Sequence, residues 1–134
     1  MKHKAICGIG LLLVLFLLTG CDTQAHKERI EKTLAYSELL NMKTWPEQYV
    51  GKTRTVSGLT ATQYYAVTDA TYYILLVSNA DGSYSESIEY LLTDGTYPKD
   101  GENVSVTGEF EVYYENTLPY YRLKDAHISK KGNS

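Results

Sequence analysis

The chain has 134 residues, with 13 lysines and arginines against 16 aspartates and glutamates and a formal net charge of −3. An acidic balance supplies no basic patch for phosphates, which argues against a nucleic-acid partner. The length fits one domain of ordinary size, large enough for a packed core.

Residues 1–20 fall into three parts: a basic start (Met1-Lys2-His3-Lys4), an apolar run IGLLLVLFLL from Ile9 to Leu18, and small residues before Cys21. This is the layout of an export signal, and its apolar run is too short for a permanent membrane span. Leu18-Thr19-Gly20-Cys21 resembles the lipobox of bacterial lipoproteins. That resemblance implies cleavage before Cys21 and a thioether-linked diacylglycerol on its sulfur. A thiolate is the side chain nucleophilic enough at neutral pH to accept such a group, and two acyl chains anchor stably where one does not. The expected location is therefore the extracytoplasmic side of the cell membrane. The alternative is an uncleaved signal anchor in which Cys21 is incidental. Asp22 resembles the inner-membrane retention signal of enteric lipoproteins. Beyond residue 20 the chain carries 11 basic and 16 acidic side chains. With Cys7 discarded and Cys21 lipidated, no thiol remains for disulfides, redox work or metal binding.

Residues 21–25 read as a polar tether. The segment 26–49 reads as helical, because Lys27/Glu31 and Glu28/Lys32 are spaced for i,i+4 pairing and Ala35, Leu39 and Met42 form an apolar stripe. Thr44, with Pro46 and Glu47 behind it, has the spacing of a capped further turn. Over 50–129 the period changes to two. ATYYILLVS is apolar on both faces, as in a central strand, and SIEYLL turns Ile88, Tyr90 and Leu92 inward. Asn79 to Ser83 between them reads as a hairpin loop. NVSVTGEFEVYY puts Val104, Val106, Gly108, Phe110, Val112 and Tyr114 on one face. LPYYRLKDAHI changes parity between Leu123 and Ala126, which predicts a bulge at Lys124-Asp125. Residues 130–134 read as a polar tail.

GKTRTVSG at 51–58 is echoed by GENVSVTG at 101–108, with a glycine in mid-strand in each copy. Such glycines mark bends, bulges or close backbone approach. The pattern YxGKxxxVxG, a long strand, a hairpin, GxxVxVxG and a final YYxLxDAxI resembles the small OB-fold domains of exported bacterial proteins over about residues 48–128. The expected fold is thus mainly β, a small five-stranded OB-like β-barrel preceded by an N-terminal helix. It departs from the usual OB-fold at Thr93–Glu102, which is too turn-rich for the helix between the third and fourth strands, so the N-terminal helix is expected to plug the barrel. An SH3-like barrel or an open sandwich also fits the pattern.

No catalytic motif is present, and His26 and His127 read as solvated side chains. The loop Asn79-x-Asp81-Gly82-Ser83 lacks most of a calcium loop, and no metal or cofactor is expected. Glu109 and Glu111 share a strand face without a neighbour that would raise a carboxylate pKa. Arg54 takes the place of Val104 in the echo, an inward position at which a buried guanidinium needs a partner; the reading adopted is a rim position, snorkelling outward. Tyrosine is abundant, with 13 copies, several of them paired. Strand parity sends Tyr73, Tyr113 and Tyr120 outward, with Arg122 on the face of Tyr120. On an OB-type face these rings, with Arg54, are the expected ligand contacts. The expected function is a noncatalytic binding or adaptor module for a glycan, a peptide or another envelope protein. The alternatives are a structural subunit of an envelope complex and a small enzyme using Glu109, Glu111 or Asp125.

Overall fold

A computed structural model describes residues 2–132, with the side chains of residues 2–22 and 130 outside the description. The Cys21 side chain, where lipidation is expected, therefore lies outside the description. One long helix, α1 (Lys2–Thr44), is followed by a short 3₁₀ turn at Pro46–Gln48. Five strands follow: β1 (Thr53–Tyr65), β2 (Ala70–Ser78), β3 (Ser85–Leu92), β4 (Asn103–Glu115) and β5 (Leu118–Lys131).

The tether expected over 21–25 is helical and continuous with α1, since no glycine or proline interrupts the chain from Cys21 to Thr44. The helix stops because Pro46 excludes helical geometry at the residue before it; Trp45 sits at φ −126°, ψ 58°. Thr44 does not cap the next turn as expected. Its hydroxyl bonds back to the Leu40 carbonyl at 2.7 Å, and Trp45 takes the cap position without a side-chain bond. The tail expected at 130–134 begins inside β5, which runs to Lys131.

The strands close into a ring in the order β1-β2-β3-β5-β4. All pairs are antiparallel except β3 with β5, which run parallel. Inside the ring lie Val56, Leu75, Val77, Ile88, Tyr90 and Phe110, among other buried apolar side chains. Leu39 and Met42 of α1 join this core at 1% exposure each, so the predicted stripe is the helix face that stops one end of the ring. Lys43 fixes that end through an ion pair with Glu86 at 2.9 Å. No helix intervenes between β3 and β4, as the turn-rich sequence predicts. That connection is tied instead to buried Thr60, whose hydroxyl donates to the Lys99 carbonyl at 2.6 Å and accepts from the Glu102 amide at 2.9 Å.

The predicted bulge is present. Both ladders of β5 shift register around Lys124-Asp125, and Asp125 has φ 47°. Gly108 faces this bulge, and a Cβ there would lie 2.8 Å from the Lys124 carbonyl oxygen and 2.9 Å from the Ala126 Cβ. Gly58 answers the same need on β1, with the Leu76 carbonyl oxygen 2.7 Å from where its Cβ would be. The echoed segments pair with each other about Val56 and Val106, which sets Gly58 opposite Val104 and Arg54 opposite Gly108. Both glycines are close-approach positions and neither has positive φ.

Candidate functional site

The outer surface of the ring has two chemically different sides. Where β1 and β4 pair, hydroxyls face each other: Thr55 with Thr107 at 2.7 Å and Ser57 with Ser105 at 2.6 Å. Such a face satisfies its own polar groups and needs no ligand. The other side carries a groove of about 310 Å³ between the β1–β2 and β4–β5 hairpin ends, floored by outward side chains of β2 and β3.

Five tyrosines line this groove: Tyr65, Tyr72, Tyr113, Tyr120 and Tyr121. Tyr65 and Tyr72 meet edge to face at 5.4 Å, and Tyr113 stacks on Tyr120 at 5.6 Å. Val67, 98% exposed, and Leu118, 59% exposed, stand on the two hairpins. The β4–β5 turn holds Asn116 at φ 50° and Thr117 at φ 70°. Two consecutive left-handed residues match the twist of a tight hairpin, but a β-branched residue in that region is strained.

The polar groups are held in place by a chain of contacts. The Tyr113 hydroxyl donates to Glu89 at 2.5 Å, and the Arg122 guanidinium lies 4.2 Å from the Tyr113 ring centroid. Arg122 Nε in turn donates to Glu111 at 2.6 Å. Burial, reinforced by the bond to Glu89, holds the Tyr113 hydroxyl protonated well above the ordinary tyrosine range. The Arg122 bond, with further attraction from Arg122 and Lys124, lowers the Glu111 carboxyl. A general acid needs the opposite shift.

Tyr113 and Tyr120 sit on the groove, as parity predicts. Tyr73 does not: it packs on the core and stacks on Tyr97 at 3.6 Å, while Tyr72 faces outward in its place. Tyr114, expected inward, is 71% exposed, because β4 runs past the end of the core into the hairpin. Arg122 braces the groove from behind Tyr113 and does not line it. Arg54 lies away from the groove, between Thr53 and Tyr49. Its guanidinium is 5.2 Å from the Tyr49 ring centroid, and its Nε is buried without a hydrogen-bond partner among the described residues. The Tyr49 ring face serves as the partner that a guanidinium at this inward position needs. Tyr65, Tyr72, Tyr121 and Glu89 are groove residues that sequence reasoning missed.

No protein-family model, characterised protein or solved structure matches this chain.

Two other places are chemically quieter. In the Asn79–Ser83 loop, Asp81 accepts from the Ser83 amide at 2.9 Å and from the Ser83 hydroxyl, and Asn79 accepts from the Tyr84 amide at 3.1 Å. These oxygens close the hairpin itself. A wider cleft of about 760 Å³ separates Glu28, Glu31 and Lys32 of α1 from the β2–β3 hairpin and Asn103–Ser105. It has no aromatic side chain to stack on a ligand.

Proposed function

We propose that this chain is a noncatalytic binding module of OB-like build, held on the extracytoplasmic side of the membrane by a diacylglyceryl group on Cys21, and that its ligand occupies the tyrosine groove. The position of the groove carries the proposal. OB-type domains take ligands on the face of their second and third strands and on the loops after the first and fourth. The groove is built from those parts here: Tyr72, Ile74, Ser87 and Glu89 from β2 and β3, Val67 and Thr68 after β1, and Asn116 after β4. A closed five-stranded ring stopped at one end by a helix supports the OB-like reading.

The helix suits the anchor. From Cys21 to Ala35, where contact with the core begins, fourteen helical steps span about 21 Å, enough to hold the ring clear of lipid headgroups. The lowered Glu111 carboxyl argues against Glu111 as a general acid. A second reading, a structural subunit of an envelope complex, draws on the exposed Val67 and Leu118, which a partner protein would cover.

Two experiments test the proposal. Cys21→Ser should abolish labelling by a fatty-acid probe; persistent labelling removes the anchor from the account. A photocrosslinking amino acid at Tyr72 should capture a ligand in native membranes, whereas the same group at Ser57, on the hydroxyl face, should not. Equal capture at both positions would reject the groove.

A further inference from the structure

Resting on the groove reading above, we infer that the ligand is an extended peptide segment that presents a lysine or arginine side chain to the groove. The groove's charge carries the inference. Its charged lining residues are Glu89 and Glu115, and it has no lysine, arginine or histidine wall. The cations that touch its lining rings are already taken: Arg122, against Tyr113, by Glu111 at 2.6 Å, and Lys43, against Tyr121, by Glu86 at 2.9 Å. Glu115 makes no ion pair among the described residues. An anionic ligand would enter a field of two carboxylates with nothing to offset its charge. A cation meets the reverse situation, because ring faces carry negative potential and Tyr65, Tyr72 and Tyr120 line the groove together with the carboxylates.

The remaining lining distinguishes a peptide from a free polyamine. Gln63, Thr68, Ser87 and Asn116 offer both donors and acceptors, as a backbone amide requires. Val67, Ile74 and Leu118 offer apolar contact beside them. A polyamine has no acceptor and no apolar branch for these groups. A peptide with a basic residue between apolar ones uses all of them.

The test uses the full chain in detergent micelles and a fluorescein-labelled heptapeptide alternating lysine with leucine. Its twin with every lysine acetylated, spermidine as competitor and cellohexaose as a neutral glycan complete the set. The lysine peptide should bind at least about tenfold more tightly than the acetylated twin. Glu89→Gln and Glu115→Gln should each weaken the lysine peptide severalfold and leave the twin unchanged, with thermal melts showing that the variants fold. Glu89→Gln keeps an acceptor for the Tyr113 hydroxyl, so its effect reads charge rather than packing. Equal binding of the two peptides overturns the cationic preference. Spermidine that competes stoichiometrically, with the same dependence on both carboxylates, makes the source a small polyamine and overturns the peptide. Cellohexaose binding that Tyr72→Ala abolishes, without peptide binding, overturns this inference and leaves the groove intact. Failure of Tyr72→Ala to affect any probe overturns the groove reading as well.

Discussion

Gly108→Ala is the perturbation most tightly specified by the packing. The added methyl carbon would stand 2.8 Å from the Lys124 carbonyl oxygen, 2.9 Å from the Ala126 Cβ and 3.1 Å from the Leu123 Cβ. Two of these contacts are below the 3.0 Å that real Cβ atoms respect, and one of them is backbone. Leu123 and Ala126 are fully buried, so no surface side chain can simply swing away. Overpacking of this kind costs about 1–3 kcal/mol. Alanine would otherwise gain roughly 0.5–1 kcal/mol over glycine in an extended strand. The net expectation is a loss centred on about 1 kcal/mol and reaching about 2.5 kcal/mol, or a Tm lower by roughly 3–6 °C per kcal/mol lost for a domain of this size. Ala126→Gly in the same chain removes one of the two short contacts and should restore part of the loss, while the carbonyl contact keeps recovery incomplete. Differential scanning calorimetry of wild type, the single variants and the double variant makes the comparison. A Gly108→Ala protein that melts at or above wild type would show that β4 does not press on the β5 bulge, and the account of the ring's closure would fail.

Two further predictions concern pH. Burial raises the Tyr90 hydroxyl to about 12, and Tyr113 is also raised. A raised folded value means that the contribution is complete below the unfolded value of about 10 and is lost as pH climbs through the folded value. Urea midpoints should therefore fall more steeply between about pH 9 and about pH 11.5, a window that brackets the unfolded value, for wild type than for Tyr90→Phe; parallel slopes would refute the shift. Glu111 behaves in the opposite sense: its lowered carboxyl contributes above the ordinary value of 4.5 and ceases to as pH falls through the folded value. Glu111→Gln should flatten the acid limb by up to about 1 kcal/mol, the scale of a part-exposed pair, and an unchanged limb would mean that Arg122 does not hold it.

Most of the chain's architecture is legible in its residues. β2 coincides with the apolar run ATYYILLVS, the stripe Ala35, Leu39 and Met42 is the helix face on the core, and the parity change in β5 marks a real bulge. Each signal is local: an alternation, a helical spacing or a slip in phase. The face of β2 is not local information. A strand apolar on both sides has no parity to read, which is why Tyr72 and Tyr73 exchange places relative to expectation. A signal was nonetheless present. The hairpin pairs Ser78 with Ser85 and hence Leu75 with Ile88, so the inward Ile88 fixes Leu75 and Tyr73 inward. Tyr65, Asn116 and Leu118 come together only when the two hairpins converge on one side of the ring, which no single strand pattern encodes. The tether failed for a simpler reason, since polarity marks exposure and does not exclude helix in a run without glycine or proline.

The groove is the centre of this account, and the most direct measurement is a crosslinking pull-down of the lipidated protein from its own membranes. Wild type would be compared with a Tyr72→Ala, Tyr120→Ala double variant, both checked for equal abundance and similar Tm. The expected result is a stoichiometric ligand or partner recovered with wild type and lost with the variant. Undiminished recovery by the folded variant would place binding elsewhere on the molecule and contradict the assignment.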